Sequence, residues 1–126
     1  MSLLVIPGRL MGLNEYTALN RAHWAKGSKA KRSETALVAW CAKAQKLKPL
    51  AAPCRVSITW YEKNHRRDLD NIAFGAKFIL DGLVTAGVLV DDDQKHVVGI
   101  SHIFATDKDN PRIEVRLIEL EAGEDA

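Results

Sequence analysis

Apolar and polar positions along the 126 residues change period several times, and each change marks an element. Residues 3–6 (LLVI) form a short apolar run closed by Pro7-Gly8, which predicts a first strand. Residues 8–32 mix glycine, asparagine, aromatics and six basic residues without a clean period. Such a stretch predicts a long, mobile loop. From Ser33 to Lys48 the period becomes helical: Leu37, Trp40, Cys41, Ala44 and Leu47 fall on one stripe, with Lys43, Lys46 and Lys48 near the end where they complement the helix dipole. Trp40 is expected in the core, and Pro49 and Pro53 stop the helix. Residues 54–61 then alternate, with Val56, Ile58 and Trp60 on one face of a half-buried strand and Arg55, Ser57 and Thr59 on the other.

A second helix is predicted from about Ile72, capped by Asn71 or Asp70. Its apolar stripe is Ile72, Ala76, Ile79, Leu83 and Ala86, and Gly87 reads as its C-terminal stop. Phe74 and Phe78 lie off that stripe. They suggest either a subunit interface or a wide stripe buried under the basic loop. His96 to Ala105 is rich in Val and Ile, and Ile113, Val115 and Leu117 alternate with charged residues. These two runs predict an antiparallel pair joined by a Lys-Asp-Asn turn. The acidic tail EAGEDA is expected to fray. The order predicts an α/β (α+β) fold, a small mixed β-sheet with two main helices packed on it, in a single domain over residues 1–126.

Composition narrows the class. With 47% hydrophobic and 27% charged residues the chain has enough apolar content for a core of its own. No apolar run approaches the ~20 residues of a membrane helix, and no signal segment opens the chain. Cys41 and Cys54 show neither metal-ligand nor redox spacing, so two buried thiols in a reducing cytoplasm are expected. The net charge of +2 is unevenly distributed: residues 21–67 hold twelve basic side chains against two acids, and residues 68–126 hold five against thirteen. A positive half abutting an acidic one suits a phosphodiester substrate held beside a cation site.

The boundary falls in residues 66–94, RRDLDNIAFGAKFILDGLVTAGVLVDDDQ. If extended backbone persists to Asp70, then Asp68 and Asp70 project from one side of a strand end. A helix then separates them from Asp91, Asp92 and Asp93. Either acidic group alone fits turn and cap positions. Together beside a basic stretch, and brought back to one volume by the segment after the helix, they read as a divalent-metal site, because clustered carboxylates repel unless cations sit among them. An EF-hand fails, since its sixth position would be Ala73 and its twelfth Ile79. The four histidines lack zinc spacing. Hard carboxylate oxygens suit Mg²⁺ or Mn²⁺, which activate water and neutralise charge in phosphodiester hydrolysis. Lys77 is a candidate for stabilising the transition state, or else a surface partner of Asp81. Arg21, Lys26, Lys29, Lys31, Arg32, Arg66 and Arg67 are candidate DNA contacts, with Tyr16 or Trp24 as stacking surfaces.

The segment RRDLDN, the helix carrying KFILDGLVTAG and the following DDDQ resemble the RusA-type Holliday-junction resolvases, endodeoxyribonucleases often encoded by phages and prophages. GLNEY and the later NR with its basic residues are similar to the N-terminal loop of the phage branch. The resemblance implies a homodimer that binds four-way DNA junctions and uses Mg²⁺ to place symmetric nicks in two strands. It also implies catalytic aspartates at Asp68, Asp70 and Asp92, with Asp91 as a helper, and a catalytic lysine at Lys77. In the best-known form that lysine follows the second aspartate by four residues; here Phe74 holds that place and Lys77 lies three further on. A metal nuclease of flaps or single strands, and a non-catalytic DNA-binding module, are the rival readings.

Overall fold

The computed structural model describes residues 1–121; all of the acidic tail after Glu121 lies outside the described residues. The strands are Ser2–Pro7 (β1), Cys54–Glu62 (β2), Val97–Thr106 (β3) and Arg112–Glu119 (β4), and the helices are Leu13–Ala22 (α1), Trp24–Ala44 (α2), Leu69–Ala73 (α3) and Ala76–Thr85 (α4). The expected α+β architecture is present: one four-stranded mixed sheet with helices packed on it, in the order β1-β4-β2-β3. Leu4, Ile6, Val56, Ile58, Trp60, Ile113, Val115 and Leu117 form the sheet side of the core, facing Val38, Cys41 and Ala42 of α2 and Phe78, Ile79 and Leu83 of α4. Across the other face Arg112 and Arg116 flank Glu114, at 2.9 and 3.2 Å, and Arg112 lies 3.9 Å over the Tyr61 ring.

The last two strands depart from the expected hairpin. β3 pairs with β2 in parallel, and β4 lies antiparallel between β1 and β2. Residues 63–96 contain two helices, enough chain for the crossover that a parallel pair requires. The link from β3 to β4 then passes over the end of β2, where Asp107 N–H donates to the Glu62 carbonyl at 2.8 Å.

Residues 8–32 are mostly helix and not a loop. The Glu15 carboxylate accepts from the Gly12 N–H at 3.4 Å at the start of α1. His23, extended at φ −168°, breaks the chain and caps α2 by accepting at Nδ1 from Ala25 N–H, 3.1 Å away. The apolar period is faint because α1 has no fully buried residue. Gly27 removes the side chain that would collide with Asn20, letting α1 and α2 fold against each other. The core stripe of α2 is therefore Val38, Ala39, Cys41 and Ala42, and Trp40, expected inside, is 67% exposed.

The helix predicted from Ile72 is two helices broken at Phe74-Gly75. Gly75 lies against Trp60, where an added Cβ would come 3.1 Å from the ring. The predicted stripe keeps its place, with Ile72, Ile79 and Leu83 buried, and Gly87 (φ +79°) ends it as expected. Phe74 and Phe78 are not exposed as an interface. Phe78 is buried, Phe74 is half-buried, and Tyr16 of α1 packs on them at 5.4 and 6.3 Å between ring centroids.

Trp60 donates its indole N–H to His102 Nδ1 at 2.9 Å, which requires a neutral imidazole with the proton on Nε2. Burial holds His102 below its ordinary range. The unfolded chain therefore binds a proton more readily, and this contribution to stability is present above about pH 6.5 and lost as pH falls toward the lower folded value. The thermal midpoint should fall between pH 7.5 and 5.5 by more in the wild type than in His102→Gln. Equal falls would remove His102 from the acid response.

Candidate active site

At the C-terminal end of β2, Arg67 folds back on the strand it has just left. Its Nε and Nη2 donate to the two Glu62 oxygens at 2.8 Å each, and Nη1 donates to the Leu10 carbonyl at 3.2 Å. Arg67, named as a DNA contact from sequence, is thus occupied inside the protein and fixes where the next residue points. Asp68 is extended (φ −69°, ψ 153°) and occupies the N-cap position of α3. Asp70 lies in the first turn, so the helix begins earlier than predicted and neither Asp70 nor Asn71 is the cap. The two aspartates consequently flank a helix start, not a continuing strand. Both are exposed; among the described residues Asp70 accepts only the neighbouring Asn71 N–H, at 2.9 Å. Asn71 bolts the segment to α1, accepting from Asn14 N–H at 2.9 Å, and Gly12 leaves it room.

The second acidic group lies after α4. Leu50 N–H donates to the Val88 carbonyl and Cys54 N–H to the His96 carbonyl, both at 2.9 Å, placing residues 88–96 at the N-terminal end of β2. Asp93 is structural: it accepts from the N–H groups of Lys95 and His96 at 3.2 and 3.1 Å, and lies 2.6 Å from His96 Nδ1. The side-chain hydrogen bond with His96 holds its carboxyl below the usual carboxylate range. Asp91 accepts from Asp92 N–H at 2.7 Å. The Asp92 carboxylate is exposed and without a partner among the described residues.

One chain does not bring these groups together. They stand at opposite ends of the nine-residue β2, a span of roughly 26 Å at ~3.3 Å per residue. Among the described residues no three His, Cys, Asp or Glu side chains are placed to hold a metal ion. The sequence pattern implied that the segment after the helix returns beside its start. The parallel crossover prevents this, because α4 runs back along the sheet so that β3 can begin where β2 began.

Lys77 sits in the first turn of α4, half-exposed, with its Nζ 3.5 Å from Asp81; Lys31 of α2 approaches the same carboxylate at 4.0 Å. The other cations named from sequence are displayed outward: Arg21 on α1, Lys26, Lys29 and Arg32 on α2, and Arg66 after β2 are all exposed. Trp24 at the start of α2 is 74% exposed, with its ring 6.1 Å from that of His23, whereas Tyr16 is engaged with Phe74 and Phe78. Glu62, which holds Arg67, escaped the sequence reading, and Asn71 was read there only as a helix cap, not as the tie to α1. For Glu62 the only signal was its closeness to Asp68 along the chain.

No helix among the described residues is long and apolar enough to cross a membrane. No curated protein matches the sequence. The family model described as Endodeoxyribonuclease RusA matches residues 14–118, a range that takes in the Asp68–Asp70 segment, Lys77 and Asp91–Asp92. With most of its length so matched, the chain belongs to the RusA family of endodeoxyribonucleases, phosphodiester hydrolases that resolve crossover junctions in DNA.

Proposed function

We propose that this protein is a Mg²⁺-dependent resolvase that acts on four-way DNA junctions as a homodimer, placing one nick in each of two opposed strands. The observation that carries this reading is the pair of unspent carboxylate groups, Asp68 with Asp70 and Asp92, at the two ends of one strand. A twofold partner turned end for end sets Asp92 of the partner subunit beside Asp68 and Asp70, twice over. These are hard oxygen donors, exposed and not consumed by internal ion pairs, so they fit Mg²⁺ or Mn²⁺. When bound there, the ion supplies Lewis-acid activation of water and neutralises charge on the phosphate.

The remaining roles follow from position. Asp91 holds the turn that presents Asp92. Lys77 directs its ammonium toward the phosphate and is kept in place by Asp81. Arg66 and the outward cations of α1 and α2 bind phosphates along the arms, with Trp24 as a stacking surface. Arg67 positions Asp68 and does not bind DNA itself. The protein works in the cytoplasm as a single domain.

Incubating the protein with end-labelled four-way junctions, flaps and linear duplex, with and without Mg²⁺, tests the reading. Symmetric nicks confined to the junction and to Mg²⁺ or Mn²⁺ samples are expected. Preferential cutting of flaps or single strands would make it a different metal nuclease, and binding without any cutting would make it a DNA-binding module. Junction affinity should also fall by about 10³–10⁵ between 50 and 200 mM salt if 6–10 phosphates are contacted. An affinity that barely moves would remove the outward cations from the interface.

A further inference from the structure

We propose that Asn71 is a positioning residue for Asp68 and Asp70, and that it acts by capping α1 from outside that helix. The inference rests on the reading of the two aspartates as metal ligands and names what holds them in place.

A helix leaves the N–H groups of its first turn without partners of its own, and an Asn, Asp, Ser or Thr just before it usually supplies an acceptor. α1 has Gly12 at that position, with no side chain to offer. The acceptor comes instead from 57 residues further along the chain: Asn71 Oδ1 takes the N–H of Asn14, in the first turn of α1, at 2.9 Å. The two positions are complementary in shape. A Cβ on Gly12 would lie 2.5 Å from Asn71 Oδ1 and 2.9 Å from its Cγ, so a side chain at position 12 and the Asn71 carboxamide exclude each other. Gln45 serves backbone groups in a similar way on the edge strand β1, donating to the Val5 carbonyl at 2.6 Å and accepting from Val5 N–H at 2.9 Å. There the bond covers an edge. At Asn71 it reaches the residue next to a ligand.

The aspartate-bearing turn does not hold itself. α3 has five residues, far below the ~12–15 at which an isolated helix is even marginal, and Asp68 and Asp70 are exposed. What fixes the turn lies on either side of the pair. Arg67, just before it, is bonded to Glu62 and to the Leu10 carbonyl; Asn71, just after it, is bonded to Asn14. Both ties reach residues 10–14, a stretch that Glu34 anchors in turn by accepting from Met11 N–H at 2.7 Å. Losing the second tie leaves the turn held at one end, and a misplacement of ~1 Å at a reacting centre costs about 10²-fold in rate.

A cap swap separates positioning from plain helix stability. In Asn71→Ala the first turn of α1 loses its acceptor. In Gly12→Ser/Asn71→Ala a serine supplies one locally, since Gly12 already has the extended backbone of a cap residue (φ −84°, ψ 168°) and the clash is gone. At a temperature where the wild type and both variants are folded by far-UV circular dichroism, Asn71→Ala should nick a four-way junction about 10²-fold more slowly in Mg²⁺, with metal-free junction affinity unchanged. The swap should recover the thermal midpoint and stay slow. A swap that regains the wild-type rate, or an Asn71→Ala chain that never loses it, overturns the proposal. Affinity that falls along with the rate would make Asn71 a general support and overturn it as well. Amide hydrogen exchange gives a readout that needs neither metal nor DNA. Ile72 and Phe74 donate to the Asp68 and Asp70 carbonyls at 3.1 and 3.2 Å, and both amides should exchange faster in the two variants than in the wild type. Unchanged exchange in the swap overturns the positioning role. Should the wild type cut no DNA at all, the metal-ligand reading falls, while the exchange comparison still decides whether Asn71 holds the turn.

Discussion

Asp70→Asn should abolish Mg²⁺-dependent nicking of a four-way junction, by about 10³-fold or more, while junction binding in the absence of metal stays near the wild-type value. The expected size is that of a lost ligand to an ion worth several kcal/mol of transition-state stabilisation, each ~1.4 kcal/mol being tenfold in rate. The substitution is nearly isosteric. Among the described residues Asp70 makes one side-chain hydrogen bond, accepting from the next residue's N–H, and an amide oxygen can take it over. Binding and fold are therefore spared, and single-turnover cleavage set against gel-shift affinity separates the two effects. Equal loss of binding and cleavage would mean that Asp70 supports the structure and not the reaction.

Mixing Asp70→Asn chains with Asp92→Asn chains should restore nicking that neither variant has alone. If each site takes Asp68 and Asp70 from one chain and Asp92 from the other, a mixed dimer has one site with both lesions and one with neither. Random exchange makes half the dimers mixed, so about one quarter of the wild-type sites return. The product also changes: a dimer with one working site nicks a single strand and leaves the junction unresolved. Were each site built within one chain, the mixture would stay inactive at every ratio. Labelled junctions run on denaturing and native gels read both outcomes from the same sample.

The sequence carried the chemistry further than the geometry. Alternation in β2 and the stripe of α4 were legible because each element buries one face deeply and meets water on the other. α1 was not, since none of its residues is fully buried and Tyr16 lies half-buried over two phenylalanines, which leaves no period to read. Trp40 faces outward because Gly27, Ala39 and Ala42 are the small residues that let α2 approach its neighbours, so side-chain size does not mark the buried face of this helix. The β3–β4 order could not be read from local signals. A turn-like Lys-Asp-Asn stretch serves a link that hops over β2 as well as it serves a hairpin. The same crossover fixed where Asp92 stands, so the ligand types could be named from residues while their separation could not.

The Gln45 amide clasped to Val5 has a consequence for what happens at high concentration. A subunit with two open strands could go on recruiting copies, and the product would be a fibre. A clasp on one side withholds that edge, so any edge-to-edge association of this sheet would be self-terminating. One glutamine side chain at the end of α2 thus denies an open-ended polymer one of the two edges it would need.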